Sequence, residues 1–123
     1  MQRGEVDPYL RPLMRLVLRG EEGTEEVVEV HLDTGFTRSL AVPPRVIAAL
    51  QFPFVREVRM TLADGQREKF NEYRGRVLWE GIERPVRVLA KEGSPLVGMA
   101  MFHGYRVTLE VVDGGTVTVE PLS

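Results

Sequence analysis

Val30-His31-Leu32-Asp33-Thr34-Gly35-Phe36 runs an alternating apolar strand straight into a carboxylate on a glycine turn. Taken alone, Asp-Thr-Gly is an ordinary turn, in which the Asp side chain bonds nearby backbone and Gly supplies positive φ. The flanks argue for more. Glu26–Leu32 alternates as a strand, and Arg38-Ser39-Leu40-Ala41-Val42 starts a second strand three residues after the triplet. An ordinary two-residue hairpin keeps its glycine between strands of matching length. Here a side chain able to move a proton occupies the corner instead.

Outward from that corner, the chain reads as short strands punctuated by turns. Residues 1–11 are expected as a loose N-terminal arm, because Pro8 and Pro12 oppose helix and interior strand. Leu13–Arg19 follows as a strand, closed by the turn Gly20-Glu21-Glu22-Gly23-Thr24. After Val42, Pro43-Pro44 sets the first turn of a short helix near 44–51, with Val46, Ile47 and Leu50 on one face and Pro53 barring continuation. Strand alternation resumes through Val55, Val58, Met60 and Leu62 and breaks at Ala63-Asp64-Gly65-Gln66, where Asp-Gly is a strong hairpin signal. Arg67–Trp79 returns, turns at Glu80-Gly81-Ile82-Glu83, and continues as Pro85–Ala90. A second, shorter helix is expected near 99–103, and Asp113-Gly114-Gly115 joins the closing strands Tyr105–Val112 and Thr116–Glu120. The pattern predicts a single domain over residues 1–123, mainly β, built as a closed or partly closed antiparallel barrel with one or two short helices.

Composition narrows the function classes. A chain of 123 residues can bury about two thirds of its unfolded surface without staples. With 43% hydrophobic and 28% charged residues it is not of disordered composition. The net charge of −2, with Lys and Arg scattered singly, provides no field for nucleic acid. The absence of cysteine removes disulfides, a thiol nucleophile and cysteine-ligated metal. Charges at Arg3, Glu5, Asp7, Arg11, Arg15 and Arg19 break up the first twenty residues, which read as neither signal peptide nor membrane span, so a cytoplasmic protein without membrane contact is expected. His31 and His103 have no third ligand pattern, and no metal site is expected. Ser39, Ser94 and Ser123 lack a nucleophile elbow, and no glycine-rich phosphate cradle is present.

Far downstream, Ser94-Pro95-Leu96-Val97-Gly98-Met99-Ala100-Met101-Phe102 supplies an apolar pair, a glycine and a helix-like apolar run. Together with Leu32-Asp33-Thr34-Gly35, this resembles the retropepsin-like aspartic peptidases of the bacterial kind that carry one Asp-Thr-Gly per chain. The resemblance spans about Leu13 to Leu122 and implies a barrel of the acid-protease type. It also implies an aspartic endopeptidase that needs no cofactor and cleaves a peptide or protein substrate. Hydrolysis by aspartates needs two carboxyl groups, one to take a proton from water and one to polarise the carbonyl. With a single triplet, the second must come from another copy, so the resemblance implies a homodimer with Asp33 and its mate on the two-fold axis.

In that arrangement Asp33 is catalytic, Thr34 bonds across the axis, and Gly35 leaves room for substrate and water. The hairpin residues Leu62, Ala63, Asp64, Gly65 and Gln66 would form the flap over bound substrate, and the C-terminal strand would be an edge interleaved between the two copies. Two departures stand out: Met99 and Ala100 replace the Arg-Asp pair that ties the family's helix to its active-site loop, and Phe36 is bulkier than usual. The alternative is a non-enzymatic domain of the same fold that binds peptides or mediates dimerisation.

Overall fold

The computed structural model describes residues 1–123 as ten strands and one α-helix. The strands are β1 (Gln2–Val6), β2 (Pro12–Arg19), β3 (Glu25–Asp33), β4 (Leu40–Val42), β5 (Phe54–Thr61), β6 (Arg67–Trp79), β7 (Ile82–Ala90), β8 (Leu96–Gly98), β9 (Tyr105–Leu109) and β10 (Thr116–Pro121). Strands hold 56% of the residues and helices 11%, so the domain is mainly β.

Six strands close a barrel in the order β6-β7-β4-β8-β3-β2, and the ring is sealed where Leu18 and Arg19 of β2 pair with Val77 and Arg76 of β6. The antiparallel expectation holds for four of the six pairings. β8 runs parallel to β3, and β7 parallel to β4. Parallel partners need a long crossover, and here the chain segments between them include the helix and the β5–β6 hairpin. β5 extends the sheet beyond the first half of β6, while β1, β10 and β9 extend it beyond the first half of β2.

Alternation accounts for the core. In β2, Met14, Leu16 and Leu18 point inward, and in β3 Val28, Val30 and Leu32 do the same. The helix α1 (Pro44–Leu50) forms as its sequence suggests: Pro44 starts it, Val46, Ile47 and Leu50 are buried on one side, and Gln51 ends it in a left-handed conformation. Those three side chains join the main apolar cluster. The run Met99–Phe102 is a 3-10 turn that buries Met101 and Phe102.

Two expectations about the chain ends are corrected. Residues 2–6 are not a loose arm; they are β1, paired with β2 on one side and β10 on the other, with Val6 buried. The prolines stop short of this strand: Pro8 falls in the following turn, and Pro12 begins β2. Nor is the C-terminal strand an open edge. β10 lies between β1 and β9 with Val117 and Val119 fully buried, and the outer strand on that side is β9. No helix is long and apolar enough to cross a membrane.

Candidate functional site

Asp33 is the last residue of β3 and stands opposite Gly98, the last of β8. The loop that leaves Asp33 folds back over β8 and is tied down by main-chain bonds. The Gly98 N–H donates to the Ser39 carbonyl at 2.9 Å, Met99 N–H to Phe36 O at 2.8 Å, and Ala100 N–H to Arg38 O at 3.4 Å. Position 98 must be glycine for this crossing, since a Cβ there would lie 2.5 Å from the Phe36 carbonyl oxygen and closer still to that of Arg38. Met99 and Ala100 therefore hold the 3-10 turn to the loop by backbone amides, with no charged pair.

The Asp33 side chain is half-buried and locally held. Its Oδ1 accepts the Gly35 N–H at 2.9 Å, and its main-chain carbonyl accepts the Phe36 N–H at 3.2 Å. Oδ2 accepts no hydrogen bond from the protein, which leaves one carboxylate oxygen for water or a ligand. A Cβ on Gly35 would stand 3.3 Å from Oδ1, so a side chain at that position would crowd the carboxylate.

Beside Asp33 opens a cleft of about 370 Å³. Gly35 and Phe36 share its wall with the carboxylate, Met60, Leu62 and Ala63 come from the β5–β6 hairpin, and Phe70, Leu89 and Leu96 complete the apolar lining. A second apolar cluster, separate from the main core, underlies it: Phe36, Ala41, Val58, Phe70 and Leu89 pack together, with Met60, Leu62 and Leu96 against them. A concave apolar site with few polar groups is the usual form of a ligand pocket. Comparison with family models, curated proteins and solved structures gave no match for this chain.

Of the residues expected at the site, Asp33, Gly35, Leu62 and Ala63 come together around the cleft. Thr34 faces a neighbouring apolar depression of about 300 Å³, formed with Leu32, Met99, Phe102, Tyr105 and Leu109. Asp64, Gly65 and Gln66 form the exposed hairpin tip, where Asp64 Oδ1 accepts the Gln66 N–H at 2.9 Å, and they do not line the cleft. A larger depression of about 710 Å³ lies by β1 and β2, but its walls carry the mixed charges Arg3, Glu5, Asp7, Arg15 and Glu29. No group of three His, Cys, Asp or Glu side chains is gathered to hold a metal.

Two contributors escape the sequence reading. Lys91 lines the cleft two residues beyond Leu89, and Glu72, inaccessible within β6, anchors the Asp33 loop by accepting from Arg38 Nη1 at 2.9 Å. A charged residue at a buried position of an alternating strand, between Phe70 and Arg74, was the available signal for Glu72. Lys91 carries no such local sign, because its place depends on the parallel pairing of β7 with β4.

Proposed function

We propose that this chain is a retropepsin-like aspartic endopeptidase that works as a cytoplasmic homodimer and hydrolyses peptide bonds with Asp33-activated water. The observation that carries this reading is the placement of one half-buried carboxylate, with one oxygen unbonded, in a loop strapped over Gly98 at the wall of an apolar cleft beneath a hairpin. In the reaction, the ionised Asp33 of one copy takes a proton from water while the protonated Asp33 of the other donates to the substrate carbonyl. The resulting gem-diol collapses, the C–N bond breaks, and the amine leaves with a proton from the pair. The apolar depression beside Thr34, continuous with the exposed side chains of Met99 and Leu109, is the surface that favours a second copy at this place.

A second reading, a non-enzymatic peptide-binding domain, draws on a different observation: the cleft of one chain holds a single carboxylate, and both terminal strands are already paired within that chain. Sedimentation analysis together with incubation of casein, with and without a statine-type inhibitor, separates the two. The peptidase reading expects a dimer whose casein cleavage is stopped by the inhibitor and by Asp33→Asn. A monomer that cleaves nothing supports the binding domain.

A further inference from the structure

We propose that Lys91 makes the cleft selective for peptides carrying an acidic side chain next to an apolar one, an inference that rests on the cleft beside Asp33 being a peptide site. β7 ends at Ala90, opposite Val42 of β4, and the Lys91 N–H continues the ladder by donating to the Val42 carbonyl at 2.9 Å. The extended register thus reaches one residue past the strand. Side chains two apart in an extended segment share a face, so Lys91 follows Leu89 toward the cleft, and both line it. A lysine on an apolar wall lays its methylenes along the surface and keeps its ammonium toward water.

Lys91 and Asp33 are the only charged residues lining this cleft. Lys91 takes part in none of the ion pairs of the chain, so no carboxylate stands within 4.0 Å of its ammonium. Its sequence neighbour Glu92 is exposed and lies outside the lining. An unpaired cation in a cleft walled mainly by apolar side chains acts at lower effective dielectric than one on open surface, and attracts an anion more strongly. The apolar lining takes the large side chain of the peptide. Asp33 repels an acidic residue at its own position, and Lys91 attracts one at the neighbouring position, while a basic residue meets the opposite pattern.

The test uses short statine-containing peptides with one leucine, in which each flanking position in turn is Glu, Gln or Lys. Affinities for the parent protein, Lys91→Met and Lys91→Glu are measured by calorimetry at low and high ionic strength. At one flanking position the parent should bind the Glu peptide about tenfold more tightly than the Lys peptide, with the ratio falling as salt rises. Lys91→Met should abolish the ratio and Lys91→Glu should invert it. A parent with no preference at any position, or a Lys91→Met protein that keeps the parental ratio, overturns the proposal. Cleavage of the matching all-peptide substrates by the parent and by Asp33→Asn separates the two inferences. Cleavage unaffected by Asp33→Asn, with the charge preference intact, overturns the peptidase reading alone. Cleavage that depends on Asp33 but ignores flanking charge overturns the role of Lys91 alone, and peptides that do not bind at all overturn both.

Discussion

Glu72 and Arg38 join β6 to the loop that leaves Asp33, with Arg38 Nη1 donating to Glu72 Oε2 at 2.9 Å and the Glu72 side chain only 2% exposed. Arg56 adds a bond at 3.2 Å and Arg87 lies at 3.8 Å, so one inaccessible carboxylate faces three guanidinium groups. Glu72→Gln keeps the shape but leaves those cations facing a neutral amide. Since the arginines are themselves partly exposed, water recovers some of the loss, and the expected cost is roughly 1–3 kcal/mol. Urea denaturation checks it. A change below about 0.5 kcal/mol, the range of ordinary surface substitutions, would mean that the cluster does not anchor the loop.

Gly98 and Gly35 make a contrasting pair. Gly98→Ala drives a Cβ into the carbonyl oxygens of Phe36 and Arg38, which are backbone and cannot rotate away. The expected penalty is about 3 kcal/mol or more, the upper end of overpacking costs, together with displacement of the Asp33 loop. Gly35→Ala meets only the Asp33 carboxylate, at 3.3 Å. It should melt within a few degrees of the parent, equivalent to about 1 kcal/mol or less, and weaken peptide binding or cleavage instead. Thermal melts of both variants, paired with a peptide-binding assay, decide this; similar melts for the two would remove the argument for the close crossing.

Local signals carried much of the fold. The period of Val46, Ile47 and Leu50 predicts α1, and the Asp64-Gly65 dipeptide predicts the β5–β6 hairpin, because each rests on contacts within a few residues. The Asp33 loop and the Gly98 strand beneath it were both legible through the resemblance, and the close crossing at Gly98 is present. What the antiparallel expectation missed is that the ladder joining β3 to β8 is parallel, between segments far apart in the chain. Phe36, expected only as a bulky departure, proves to be a buried member of the cluster under the cleft. The hairpin tip was overestimated: Leu62 and Ala63, just past the end of β5, line the cleft, while Asp64, Gly65 and Gln66 are exposed and do not. Residues 2–6 were misread because alternation over five residues with Gly4 in the middle is weak, although β10 supplies them with a partner.

The position of β10 changes what a C-terminal truncation should do. Removing residues 116–123 takes two fully buried valines, Val117 and Val119, and strips the pairing from β1 and β9. Burial of each such side chain is worth about 1.5–3 kcal/mol, so the loss approaches the whole stability of a small domain. The truncated chain should be unfolded or aggregated. Circular dichroism and sedimentation provide the check, and a truncated protein that remains a folded monomer would show that β10 serves assembly more than folding.

Asp7 provides a pH-dependent test away from the cleft. Partial desolvation raises its pKa, but the Arg11 backbone N–H at 2.8 Å, the Arg11 guanidinium at 2.7 Å and the Tyr9 N–H at 3.0 Å outweigh it and hold the carboxyl below the ordinary value. A folded-state pKa below the unfolded one gives stability that is present above the unfolded value and disappears as pH falls through the folded one. Asp7→Asn should therefore melt below the parent at neutral pH, with the gap closing on acidification. Melting temperatures of both proteins at pH values above and below the aspartate range test the sign. A gap that is constant with pH would mean that the turn over residues 7–11 is held by shape and not by this charge.

Asp33→Asn tests the proposed two-copy site directly. If two copies bring their Asp33 side chains a few ångströms apart, the carboxylates repel by several kcal/mol at an effective dielectric of about 20. Asparagine keeps the size of the side chain and an oxygen able to accept the Gly35 N–H now held at 2.9 Å, so the loop should stay folded. The variant should cleave no peptide, yet dimerise more tightly than the parent near neutral pH, because the repulsion is gone. Dimer dissociation constants for both proteins, measured by sedimentation near neutral pH, decide it. If the two constants agree, the Asp33 side chains of two copies do not meet, and any dimer is built on another face.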